Sequence, residues 1–208
     1  MNKPAFYQIN NFYKRLAFLL FFCVIISGCD IFNTRDAEKP TQPRSDFEPA
    51  ATVDILIQNL INSLKDKDVT NYMTCLSDTS FTDKKFRFVP SNEAISTYPT
   101  LMDWNERNEE QYFTNMSIKV NTNSQIVLTL KESSRNNFGD STFYTANYAL
   151  NLPFVNSNSE VTPVIYEGTL TFKMIRDSRS VWSIYYWQDI KTSDSSSSWS
   201  DLKGSLAN

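Results

Sequence analysis

The 208-residue chain contains no histidine, so any chemistry it performs runs on carboxylates, tyrosine hydroxyls, lysine or thiols. That absence removes Ser-His-Asp and Cys-His nucleophile activation and every histidine-containing metal centre. The four glycines, at 28, 139, 168 and 204, leave no glycine-rich loop to cradle a phosphate. No cofactor and no metal ligands are expected. What remains is a set of rings and hydroxyls: Tyr72, Trp104, Tyr144, Tyr148, Tyr166 and Tyr186. Gathered in one apolar pocket, they would hold a small apolar or ring-shaped ligand by stacking and hydroxyl hydrogen bonds. The competing reading is that the same rings simply fill a core. Asp189 lies near this set, but strand alternation puts it with Trp187, opposite Trp182 and Ile184, so only a bend or bulge would bring it inside. No residue is assigned as catalytic.

A thiol is the second chemical feature. Lys3, Lys14 and Arg15 precede the apolar run Leu16 to Ile26, which is followed by Ser27, Gly28 and Cys29. A permanent spanning helix needs roughly 20 apolar residues, more than this run supplies, and the pattern is that of a signal peptide. Ile26-Ser27-Gly28-Cys29 resembles the lipobox of bacterial lipoproteins. The resemblance implies diacylglycerylation of the Cys29 thiol, cleavage between Gly28 and Cys29, and often acylation of the new amino terminus. Several acyl chains on one residue give stable anchoring where one chain is marginal, so the membrane is an expected partner through the N-terminal lipid. A secretory signal with an accidental cysteine, or a short membrane anchor, is the alternative.

The expected location is the bacterial cell envelope. The periplasmic face of the outer membrane is favoured for a Gram-negative cell. Asp30, which resembles the inner-membrane retention signal of enteric bacteria, keeps the inner membrane open. With Cys23 in the signal and Cys29 linked to lipid, Cys75 has no intrachain partner and reads as a small buried hydrophobe.

Residues 29–208 hold 17 Lys+Arg against 23 Asp+Glu, a formal charge of −6. Nucleic acid is excluded as a partner, because neutralising phosphates needs a basic footprint. The organisation expected is a signal peptide over 1–28, a lipidated polar tether with Pro40, Pro43 and Pro49 over 29–50, one folded domain over 51–190, and a Ser-rich tail over 191–208 that looks flexible. Trp199, Leu202 and Leu206 in that tail are spaced as one face of a short helix that would pack back on the domain.

Within the domain, Thr52 caps a helix with Val53, Leu56, Ile57, Leu60, Ile61 and Leu64 on one side, and Val69, Tyr72, Met73 and Leu76 repeat the spacing. Phe86 and Phe88 alternate in a short strand, and Pro90-Ser91 opens a helical turn. Thr100 with Asp103 predicts the start of a third helix carrying Leu101, Trp104, Asn108 and Tyr112, with Asp103, Glu106, Arg107, Glu109 and Glu110 as its solvated face. From Ser117 the period becomes two. Strands are predicted through Ile118–Val120, Ile126–Leu130, Tyr144–Leu152, Val164–Met174 and Val181–Ile190, with polar loops at Asn136–Asp140 and Asn156–Glu160.

The fold class is α+β, with N-terminal helices packed on a curved, mainly antiparallel sheet. Helices, a short strand, a further helix and then long strands ending in Trp182-Ser183-Ile184 resemble the nuclear transport factor 2-like, cystatin-like cone from about Thr52 to Ile190. An unrelated sheet domain with the same order is the alternative. The resemblance implies a curved sheet wrapping a long helix, with a pocket at the open end. Ketosteroid isomerase, a relative that needs no histidine, places its base on the strand after the second helix, where Arg87-Phe88-Val89-Pro90 offers no carboxylate.

The function expected is therefore a non-enzymatic, membrane-anchored binding or adaptor module. Its partner is another envelope protein or a small apolar ligand. An isomerase or lyase using a carboxylate and tyrosine pair, and a ligand-free structural component of the envelope, are the alternatives.

Overall fold

The first described helix, α1 (Val53–Asp66), forms because its apolar residues recur on one face and both ends are capped. The Thr52 hydroxyl accepts from the Ile55 N–H at 3.2 Å. At the other end Lys67 turns left-handed, at φ 56°. That costly conformation for a non-glycine residue is held by its ammonium, which donates to the carbonyls of Asn121, Thr122 and Ser124 at 2.9–3.0 Å. Asp68 then caps α2 (Val69–Thr74), accepting from Asn71 N–H.

The structure, a computed structural model, describes residues 47–155, 161–193 and 195–207. The signal segment with Gly28 and Cys29, Asp30, most of the tether and the Asn156–Glu160 loop lie outside the described residues. Among the described residues no helix is long and apolar enough to cross a membrane.

After β1 (Arg87–Val89), Ser91 caps the short α3 (Asn92–Thr97). The third long helix starts later than Thr100. Pro99–Asp103 is a 3-10 turn, and α4 runs over Glu106–Lys119. The stronger cap wins: the Asn105 side chain accepts from the Arg107 and Asn108 N–H groups while Asn108 accepts from Asn105 N–H, a reciprocal box that Thr100 lacks. The strand expected at Ile118–Val120 is likewise the last turn of α4, with Ile118 exposed and only Val120 touching the sheet, opposite Phe154.

Four long strands follow: β2 (Val127–Phe138), β3 (Ser141–Val155), β4 (Val161–Arg176) and β5 (Trp182–Ile190). With β1 they form one sheet in the order β1-β5-β4-β3-β2, antiparallel except for the β1–β5 pair. The predicted Asn136–Asp140 loop shrinks to a tight turn at Gly139, φ 63°, because β2 continues to Phe138. Two register shifts bend the sheet, one at Lys131/Ser134 and one between β4 and β5. At the second, Lys173 pairs with Tyr186 and Met174 with Ile184, so Tyr185 is an extra residue. Ile184, Trp187 and Asp189 are all buried as a result, because the bulge reverses the alternation between them.

The domain does not end at Ile190. Trp199–Ser205 form α5, capped reciprocally by Ser198 and Asp201, and Trp199, Leu202 and Lys203 are fully buried. The expected helical face of Trp199, Leu202 and Leu206 does pack back on the domain, and with it the chain buries Lys203. Gly204 packs so closely on Tyr98 that a Cβ would overlap its ring. Gly204→Ala is expected to destabilise the domain by about 1–3 kcal/mol, as overpacking does, read as a lowered urea midpoint.

Candidate functional site

The inner face of α4 carries Glu109, Tyr112, Phe113 and Met116, an i, i+3, i+4, i+7 stripe that is wholly buried. α5 carries the matching stripe Trp199, Leu202, Lys203 and Leu206. Each stripe contains one charge. The Lys203 ammonium donates to both Glu109 oxygens, at 2.6 and 2.7 Å. Tyr72 Oη donates to Oε1 at 2.5 Å and Trp104 Nε1 to Oε2 at 2.5 Å. A carboxylate has about four lone-pair sites, and all of those of Glu109 are taken. The ammonium also lies 3.8 Å from the ring centroids of both Phe88 and Trp187, which compensates its charge further.

A second carboxylate holds the start of the same helix. Asp189 Oδ1 accepts from Tyr148 Oη at 2.7 Å, and Oδ2 accepts from the Ser200 N–H and hydroxyl at 2.7 and 2.5 Å. Tyr148 Oη in turn accepts from Trp199 N–H at 2.7 Å, and Trp199 Nε1 donates to Tyr112 Oη at 2.8 Å. An anion at a helix N-terminus satisfies its orphan N–H groups and its dipole together. The space between sheet and α4 is therefore filled by α5 and its partners.

No protein-family model and no curated protein matches the sequence. Solved structures do match. A candidate aromatic ring hydroxylase from Novosphingobium aromaticivorans superposes with a TM-score of 0.51 at 12% identity, over 72% of this chain and 93% of its own. A candidate dehydratase of the NTF2-like family from Streptomyces avermitilis gives 0.49 at 10% identity, over 68% and 95%. An NTF2-like superfamily protein from Salmonella enterica gives 0.44 at 13% identity, over 67% and 90%. The fold is α+β, with helices packed on a curved five-stranded sheet, and the Novosphingobium protein shares it. At these identities the likeness covers the fold alone.

The cone brings together Tyr72, Trp104 and Tyr148 around the two carboxylates. Tyr144 and Tyr166 are half-buried: Tyr144 stacks on Phe172 at 6.3 Å, and Tyr166 bridges to Ser197 in the segment leading to α5. Tyr186 does not belong to this set. The bulge turns it to the outer face, where the Lys173 ammonium sits 4.6 Å from its ring centroid. For the same reason Asp189 is inside, contrary to plain alternation.

Two buried charges depart from the sequence expectation. Glu109, expected on a solvated face, heads the buried stripe of α4, and Lys203, in a tail expected to be flexible, is buried against it. The signal that finds both is a charged residue in register with an apolar i, i+3, i+4 stripe.

Burial, then the Glu109 charge, holds the Tyr72 and Tyr112 hydroxyls well above their usual range, and burial with Asp189 does the same for Tyr148. Burial pulls the Lys203 ammonium down to about 8, against the opposing attraction of Glu109. Glu109 accepts four hydrogen bonds and Asp189 three, and both carboxylates anchor α5.

Removing one partner of a buried pair strands the other charge. Lys203→Met is expected to cost about 3–5 kcal/mol. Glu109→Gln combined with it should recover much of that loss, since the Gln oxygen can accept from the Trp104 indole while its amide donates to the Tyr72 hydroxyl; urea denaturation of the three variants gives the coupling. A pH effect follows from the tyrosines. Their folded pKa values lie above the unfolded value of about 10, so their contribution is complete below about pH 10 and is lost as pH rises beyond it. Lys203, lowered from 10.5 to about 8, instead adds stability as pH rises from about 8 to 10.5. Stability is expected to hold up to about pH 10 and then collapse, with tyrosinate absorbance appearing together with unfolding rather than before it.

Proposed function

We propose that this protein is a lipid-anchored lipoprotein of the bacterial cell envelope and that its cone is a non-enzymatic binding or adaptor module. The observation that carries the module reading is the α5 plug. Both tyrosine–carboxylate pairs of the interior are spent on holding Lys203, Trp199 and Ser200, so recognition falls to the outer surface and favours a protein partner over a small apolar ligand. Anchoring rests on the Ile26-Ser27-Gly28-Cys29 sequence after its apolar run. Under this reading residues 30–46 space the domain from the lipid, on the outer membrane's periplasmic face or, through Asp30, on the inner membrane.

The isomerase or lyase reading has one observation in its favour, a carboxylate within hydrogen-bond reach of a tyrosine hydroxyl at Tyr72–Glu109. Against it, the place a substrate would take beside that pair is filled by Lys203 and the Trp104 indole.

Cells fed an alkyne-tagged fatty acid should label the wild-type protein, and its mature mass should begin at acylated Cys29. Cys29→Ser should carry no label. An unlabelled wild-type chain would overturn the lipoprotein assignment.

A further inference from the structure

The outer face of the sheet carries an exposed aromatic pair at one end. Phe138, the last residue of β2, is 60% exposed and Phe143 38%, and their ring centroids lie 5.3 Å apart beside the Gly139 turn. The cross-strand pairs Phe143–Lys173, Lys173–Tyr186 and Tyr186–Arg87 continue the row through β3, β4, β5 and β1. The Lys173 ammonium sits between two rings, 5.1 Å from the centroid of Phe143 and 4.6 Å from that of Tyr186. Arg176, exposed at the end of β4, donates its backbone N–H to the Asp140 carbonyl in the same turn. Among the described residues no salt bridge reaches Arg87, Lys173 or Arg176. With Asp140 as the single carboxylate of the turn, they form a positive patch on a chain that is net acidic over residues 29–208.

The chain also enters the domain at this end of the sheet. Trp182, the first residue of β5, donates its N–H to the Ala50 carbonyl at 2.8 Å, and Ala51 and Asp54 share a shallow cleft with Arg135, Gly139 and Trp182. Residues 30–46 alone separate Cys29 from Phe47, a span of at most about 65 Å. A domain held that near a surface meets it at high effective concentration, so a weak contact suffices. Aromatic rings and cations are the side chains that suit a membrane–water interface, and each Lys or Arg beside anionic lipid strengthens binding about fivefold. The far end of the same face differs. Ile165 is 56% exposed there, but its outward neighbours are Asn151 and Glu167.

We propose that the β2–β3 end of the sheet rests on anionic phospholipid, with Phe138 and Phe143 at headgroup depth and Arg87, Lys173 and Arg176 on the phosphates. The contact rests on the lipoprotein reading, which supplies the membrane. It adds an orientation: Val127 and Ile165, at the far end of the strands, point away from the bilayer toward a partner.

The test uses the full-length protein, purified from membranes in detergent and placed in nanodiscs of brominated phosphatidylcholine with or without phosphatidylglycerol. The tryptophan added by Phe138→Trp is expected to be quenched in discs that hold phosphatidylglycerol, and the one added by Ile165→Trp is not. Lys173→Gln with Arg176→Gln, about 25-fold weaker at fivefold per cation, should remove most of that quenching, and so should high salt. No quenching at position 138, equal quenching at both positions, or quenching indifferent to salt and to the paired substitution would overturn the proposal. An unquenched Phe138→Trp whose emission shifts to the blue as protein concentration rises would give the face to a second copy of the chain, and would overturn it too. Mass spectrometry of Cys29 on the same sample separates the two readings. An acylated chain with an unquenched position 138 defeats this contact alone. A chain without acyl groups defeats the anchor, and quenching on the same discs still decides the contact.

Discussion

The Lys203–Glu109 ion pair is the constraint on which the rest of the domain depends. Moving either charge out of water costs several kcal/mol, and the attraction repays that only when the remaining donors and acceptors are satisfied. Here they are. Glu109 takes two bonds from Lys203, one from Tyr72 and one from Trp104, and the ammonium rests against Phe88 and Trp187. A single pair thereby ties α5 to α4, α2, the turn before α4, β1 and β5. A purely apolar contact would tolerate slippage of α5 by a residue. A buried charge does not, because any other register leaves it unpaired.

The bulge at Tyr185 is what lets the pair exist in this environment. It turns Trp187 inward to face the ammonium and brings Asp189 to the N-terminus of α5, where it accepts from Ser200 and Tyr148. One inserted residue thus decides two contacts, one at each end of the same short helix. Gly168 shows how tight the seat is: a Cβ there would lie 2.6 Å from the Ile190 carbonyl and 2.8 Å from the Tyr148 hydroxyl.

The interior of the curved sheet is occupied by the chain's own helix α5, within the architecture shared with the Novosphingobium protein. The polar groups that would do chemistry in an open cone are instead saturated by the chain itself. On the outer sheet face Phe143 and Tyr186 flank Lys173, whose ammonium lies over both rings.

The sequence by itself determined the α+β class, the order of the first helices before the long strands, the faces of α1 and α2, the inner faces of β3 and β4, and the absence of histidine chemistry. These depend on local periodicity, caps and composition, which are written into neighbouring residues. Within the site, Tyr72, Trp104 and Tyr148 were legible because aromatic rings at core spacing point inward whatever they meet. Only the tertiary structure decided that Glu109 and Lys203 are core residues, that Asp189 faces in and Tyr186 out, and that a serine-rich tail ends in the plug of the cone. The physical reason is common to all four. Each depends on a partner remote in sequence: a charge is tolerated inside only because another element delivers its counter-ion 94 residues away, and a strand reverses its faces only where its neighbour accepts a bulge.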